Sequence, residues 1–224
     1  MPNLLPARNA VWLLPLLLAL AIVAGIASLL VGPAQLSLAA LWAALTGHGD
    51  PIVRAILFQL RLPRALLGLL VGAMLGMGGA SMQGYLRNPL ADPGVLGVSG
   101  VAALGAVIAI YWQLATAHSW VLPLLAITGA LLSLLPLTWL SRRCESTLSL
   151  ILAGVAVATV SGAGINLALN LAPNPFAAME ITTWLLGSLE DRSFGDVWIA
   201  LPCVAIGMTL LLWDGRALAA LSLG

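Results

Sequence analysis

Side chains able to do chemistry are few in this chain, and their types exclude more than they offer. Its nine basic residues are all arginines, so neither a P-loop lysine nor a lysine Schiff base is available, and no G-x-x-x-x-G-K-[ST] stretch occurs. H-E-x-x-H and G-x-S-x-G are also missing, which leaves zinc-assisted hydrolysis and serine acyl transfer without carriers. The long apolar runs hold no carboxylate for a proton relay. The intramembrane polar set includes Gln83, Ser133, Thr159, Ser161, Asn166 and Asn170, a thin set that suits a bulky solute sliding between helix surfaces better than selective ion coordination. His48 and His118 fall in outer loops and read as solvated side chains. Cys144, in a polar loop, and Cys203, in the last apolar run, have neither disulfide nor metal-ligand spacing. The expectation is a protein that is not an enzyme and holds neither metal nor cofactor. A formal net charge of +1 gives no basic field for nucleic acid.

What remains are three polar clusters: "RLPR" at 61–64, "SMQGYLRNPLADPGVLG" at 81–97 and "SRRCESTLS" at 141–149. Each interrupts a chain that is 61% hydrophobic and 8% charged, against roughly 25% charged in a soluble domain. Such a composition belongs in a membrane. The runs 9–49, 65–86, 93–141, 146–179 and 197–213 carry no charge, and about 20 apolar residues cross a bilayer core. The run 93–141 is too long for one helix, and "YWQLATAHSWVLP" at its centre has interfacial character. The reading is all-α: a polytopic transmembrane helical bundle of about six spans, near 11–31, 64–84, 95–111, 120–140, 148–171 and 196–213. The first apolar run exceeds the roughly 7–15 residues of a signal-peptide core, so a retained first span is expected.

In the second span Gly68, Gly72, Gly76, Ala80 and Gly84 recur every four residues. Such a ladder lets helix backbones approach closely and predicts a helix buried in protein. Immediately after it, Pro89 and Pro93 break the helix. Backbone polar groups cannot stay unpaired in hydrocarbon, so this loop must reach water or line a protein cavity. Pro89 pushes Asn88 out of the helical region, and Gly94 and Gly97 allow a tight restart. Arg142 and Arg143 read as orientation anchors, and Ser146 and Thr147 as helix caps. Between Glu180 and Glu190 roughly 13 Å of helix fits, too little to span, so a short, partly embedded helix on the outer side is expected, with Trp184 near its middle. With six spans, Arg8, Arg87, Arg142, Arg143 and Arg216 lie inside and Arg54, Arg61, Arg64 and Arg192 outside. That count favours cytoplasmic termini by one residue and leaves "RLPR" as an exception, explained either by headgroup anchoring or by a partner.

The stretch "RLPRALLGLLVGAMLGMGGASMQGYLRNPLADPGVLGVSG" (61–100) resembles the signature region of the FecCD-like permeases of bacterial ABC importers, which carry iron-siderophore, haem and cobalamin uptake. "LILAGVA" (150–156), "WLLGSL" (184–189) and "ALAALSLG" (217–224) add to the likeness. The resemblance implies a homodimeric permease in the bacterial inner membrane, embedded in lipid, with two ATP-binding-cassette subunits beneath and a periplasmic substrate-binding protein above. ATP hydrolysis would belong to the partner. Iron-siderophore chelates are the first expectation for the solute, then haem or cobalamin.

Residue by residue, the resemblance assigns Arg61 and Arg64 to docking of the binding protein, where paired arginines meet carboxylates. It assigns Asn88, Pro89 and Leu90, with Thr147 and Leu148, to a cytoplasmic gate. Leu148 departs from the small polar residue of at least one relative. The family's coupling helix follows "LSLG", so residues 1–224 are expected to be the N-terminal portion of a single permease domain that lacks the last four spans and the coupling helix, and not to transport alone. Other readings are a lipid-acting membrane enzyme, for which no nucleophile or acid/base pair is present, and a non-transporting structural subunit.

Overall fold

The protein is described by a computed structural model, which covers residues 10–32, 34, 36–114, 120–141, 147–190 and 192–223. The polar turn holding Arg142, Arg143, Cys144 and Ser146 lies outside the described residues, as do Arg8, His118 and Asp191. The chain divides into two compact units, Met1–Gly76 with Leu189–Leu210, and Met77–Ser188 with Leu211–Gly224.

In the first unit, α1 (Ala10–Leu30) is an apolar helix, long enough over Trp12–Leu30 to cross a membrane. None of its spanning stretch is buried within the chain, as expected of a helix solvated by lipid. Two short helices follow, each started by a side-chain cap. Ser37 Oγ accepts the Ala40 N–H at 3.1 Å to open α2 (Leu38–Leu45), and Asp50 Oδ1 accepts the Ile52 N–H at 2.8 Å to open α3 (Pro51–Ala55). Pro51, with its φ already helical and no N–H to lose, fits the first helical position. Leu41, Ala44 and Leu57 form a small core with Leu29, Leu36, Val53 and Phe58 packed around it.

Helix continues from α3 through a wide π turn, Ile56–Arg61, into α4 (Leu62–Leu86). The sequence reading placed the second span at 64–84; the uninterrupted apolar helix runs from Pro51 to Leu86. Burial in α4 is confined to Pro63, Ala65 and Leu67 near its start. A Cβ built on Gly68 would meet only the Leu189 side chain, at 3.7 Å, and among the described residues nothing lies within 4 Å of one built on Gly72, Gly76 or Gly84. Among the described residues α4 meets neighbours away from that ladder: a Cβ on Gly25 would lie 3.6 Å from Leu69 Cδ1, and one on Gly207 2.8 Å from Met74 Cε.

In the second unit a 3₁₀ turn (Pro93–Leu96) leads into α5 (Val98–Tyr111), which packs on α6 (Val121–Ser141) and α7 (Thr147–Asn170). Here glycines do permit close approach. A Cβ on Gly105 would overlap the Leu125 carbonyl oxygen, and one on Gly129 would lie 2.6 Å from the Val101 carbonyl oxygen. Gly105, Ala106, Val107, Ala109 and Ile110 of α5 are buried. The short helix expected before residue 190 is α8 (Pro175–Leu186), capped by Asn174, whose Oδ1 accepts the Ala177 N–H at 2.9 Å. Its Ile181 joins Val107 and Ile110 in a core flanked by Ile165, Leu169 and Trp184.

The last helix, α9 (Phe194–Leu223), extends well past the expected boundary at 213. Among the described residues, five helices are long and apolar enough to cross a membrane. The expected sixth, near 95–111, is α5 with 14 residues, about 21 Å long at 1.5 Å per residue and short of the roughly 30 Å hydrocarbon core.

Candidate functional site

The two candidate regions lie in different units and are described separately. At the end of α1 the last carbonyls have no intrahelical donor, and its last turn holds no basic residue. Arg61, 31 residues beyond Leu30, fills the gap. Its Nη1 donates to the carbonyl oxygens of Leu29 at 2.6 Å and Leu30 at 3.0 Å, and its Nη2 donates to that of Ala34. The side chain is only 6% exposed. Gly32 makes room for it, since a Cβ there would stand 2.9 Å from Nη2 and 3.1 Å from Cζ.

Arg64, one turn further on, is exposed. It borders a cleft of about 250 Å³ whose walls include Val31, Ile56, Leu60 and Glu190. The two arginines of "RLPR" thus have unlike settings: Arg64 presents a cation at the surface, whereas Arg61 points its fork into the protein's own backbone. Sequence reasoning treated them as a pair and missed Gly32, whose only signal was its place just after an apolar helix.

The polar turn after α4 is built by side chains that mimic backbone. Arg87 takes a left-handed φ of 50°. Asn88 Oδ1 accepts the Leu90 N–H at 2.9 Å, the Asn88 carbonyl accepts the Ala91 N–H at 3.1 Å, and Asp92 Oδ1 accepts the Gly94 N–H at 2.7 Å. Two such Asx bonds, with Pro89 and Pro93 fixing φ beside them, make a short stiff loop. Ala91 is buried while Leu90 is 86% exposed.

The loop is seated as well as stiff. Gly97 has φ 72°, and a Cβ there would stand 2.7 Å from the Gly154 carbonyl oxygen of α7. A Cβ on Gly154 would stand 2.7 Å from Leu96 Cα. Thr147 opens α7, its side chain lying outside the described residues, and Leu148 is 63% exposed. Gly154 is seven residues along the same helix, about 10 Å from that end. Both groups of expected gate residues therefore belong to elements that meet at Gly97 and Gly154.

Four of the six intramembrane polar residues are spent locally. Ser133 Oγ donates to the Ala130 carbonyl at 2.6 Å, Thr159 Oγ1 to that of Val155 at 2.8 Å, Ser161 Oγ to that of Val157 at 2.7 Å, and Asn170 Nδ2 to that of Asn166 at 2.8 Å. Among the described residues no three of His, Cys, Asp or Glu gather as a metal site would require.

Comparison with known proteins accords with this arrangement. The family model described as the FecCD transport family matches residues 19–224. An uncharacterized ABC transporter permease protein, YvrB of Bacillus subtilis (strain 168), is 38% identical over 183 residues, 80% of this chain and 51% of that protein. The vitamin B12 import system permease protein BtuC of Salmonella newport (strain SL254) is 35% identical over 206 residues, 92% of this chain and 59% of that one. A solved structure assigned to a metal-chelate type ABC transporter in an inward-facing conformation superposes with a TM-score of 0.81 at 28% identity, covering 93% of this chain and 63% of that one. The chain thus spans between about half and three-fifths of the length of these relatives. On the match to residues 19–224, this multi-pass membrane protein belongs to the FecCD transport family.

Proposed function

We propose that residues 1–224 form the N-terminal portion of the permease of a bacterial ABC importer, a subunit that lets a bulky metal chelate pass while ATP is hydrolysed on partner subunits. The observation that carries this reading is the loop at 87–97: stiffened by two Asx bonds, seated on α7 through Gly97 and Gly154, and displaying Leu90. A loop of that build moves with its helix rather than fluctuating alone, which is what a gate worked by a helical bundle requires. In this reading Asn88, Pro89 and Leu90, with Thr147 and Leu148, close the cytoplasmic mouth. The N-terminus lies in the cytoplasm, the membrane is the inner one, and the permease works as a homodimer with ATP-binding-cassette subunits below.

At the outer face a substrate-binding protein docks over the cleft beside Arg64, where an exposed guanidinium offers a carboxylate two parallel hydrogen bonds. The sparse, self-satisfied polar residues of the spans favour a large solute recognised before it reaches the permease. An iron-siderophore chelate fits this requirement, as does haem. The likeness to a vitamin B12 permease supports cobalamin as the second reading.

The test is uptake by proteoliposomes holding the whole permease with its ATP-binding and substrate-binding partners, supplied with labelled ferric siderophore or labelled cobalamin. ATP-dependent accumulation of one, with Arg64→Glu weakening capture of the binding protein about tenfold or more, supports the reading. Equal accumulation without ATP, or unchanged capture by Arg64→Glu, contradicts it.

A further inference from the structure

We infer that Arg61 is a positioning residue: it caps the C-terminus of α1 from 31 residues downstream and so fixes the outer platform beside which Arg64 docks. The inference rests on the docking role proposed for Arg64 only for its consequence, not for the cap itself.

Three independent features converge on the cap. The first is need. The carbonyls at the end of α1 carry the negative end of the helix dipole, and in an apolar setting an unpaired carbonyl is costly. Neither a basic residue in the last turn of α1 nor the Val31 N–H, which bonds back to the Ala27 carbonyl at 2.9 Å, serves those of Leu29 and Leu30. Arg61 serves both and adds Ala34 in the following turn. A planar fork of donors does this where an ammonium, a point charge, would not.

The second feature is how Arg61 gets there. Arg54 and Arg61 are seven residues apart, nearly two α-helical turns, so an unbroken α-helix would place them on one face. Arg54 is exposed and Arg61 is buried. The π turn between them accounts for the difference: the Leu62 N–H bonds to the Leu57 carbonyl, five residues back, and this wide turn changes the phase of everything after it. Such turns are rare and cluster at functional sites.

The third is accommodation. Gly32 leaves the space that the guanidinium fills, and the smallest side chain there would press on Nη2 and Cζ. Burying a guanidinium so that it donates to three carbonyls is an expensive arrangement unless the backbone it serves must be held. What it holds is the outer end of α1 and the turn toward α2, which form one wall of the cleft bordered by Arg64.

The experiment uses the full chain in detergent, with hydrogen exchange read on the backbone amides of residues 28–38, beside capture of the importer's substrate-binding protein at several salt concentrations. Arg61→Gln and Gly32→Val should each speed exchange in that segment by about tenfold or more, the scale of losing hydrogen bonds to a charged group. Arg61→Lys should fall between them and the parent. Arg64→Gln should leave this exchange unchanged while weakening capture and flattening its salt dependence. Arg61→Gln should weaken capture without flattening it, because a buried cation contributes little to long-range steering.

Unchanged exchange in Arg61→Gln or Gly32→Val overturns the inference, and so does a loss of salt dependence in Arg61→Gln matching that of Arg64→Gln. If Arg64→Gln leaves capture intact, the docking reading fails by itself, and the exchange data alone decide the cap.

Discussion

Asn88 shows how much of the polar loop depends on single side chains. Its Oδ1 stands in for a backbone acceptor by taking the Leu90 N–H at 2.9 Å, a bond worth about 1 kcal/mol net. Asn88→Ala should loosen the loop without unfolding the protein. In proteoliposomes bearing the assembled importer, passive leak of the chelate should rise several-fold, and an unchanged leak would remove Asn88 from the gate. Leu90 is 86% exposed, so Leu90→Ala should move the thermal midpoint little, in keeping with surface changes of roughly ±0.5 kcal/mol. A clear drop in that midpoint would show that Leu90 packs where the structure leaves it bare.

At the scale of elements, the tightest helix contacts among the described residues are set by small residues outside the ladder that stands out in the sequence. The five-member ladder of α4 is regular, yet among the described residues a Cβ built on Gly72, Gly76 or Gly84 would meet nothing within 4 Å beyond its own helix. The tight contacts are Gly105 and Gly129 between α5 and α6, and Gly97 and Gly154 where the loop meets α7. Lipid offers no hydrophobic drive for helix association, so such contacts rely on close packing. Gly154→Val should therefore destabilise by about 1–3 kcal/mol, as overpacking does, read as a lowered thermal midpoint in detergent. Gly72→Leu should not lower it.

These differences mark what could be read from residues alone. Spans and breaks were legible because charge and proline punctuate the chain, and the short helix before Glu190 followed from the distance between two acids. Two features depended on geometry that composition does not carry. The inward turn of Arg61 follows from a π turn whose residues, Ile56–Arg61, look like ordinary apolar helix. The brevity of α5 was hidden because the charge-free run 93–141 shows neither the 3₁₀ turn at Pro93–Leu96 nor the length of helix after it. The ladder was legible as a pattern, but which helix meets it depends on tertiary partners.

For the molecule as a whole, the central claim is that the loop at 87–97 closes the inner mouth of a conduit through the membrane while α2 and α3 sit at the outer side. Its most direct test is sided labelling. With Cys144 and Cys203 replaced by serine, Leu90→Cys and His48→Cys variants are treated with a membrane-impermeant maleimide in spheroplasts and in inverted inner-membrane vesicles. The prediction is that Leu90→Cys reacts only in inverted vesicles and His48→Cys only in spheroplasts. Modification of Leu90→Cys in intact spheroplasts, or its failure to react from either side because acyl chains surround it, would contradict the claim.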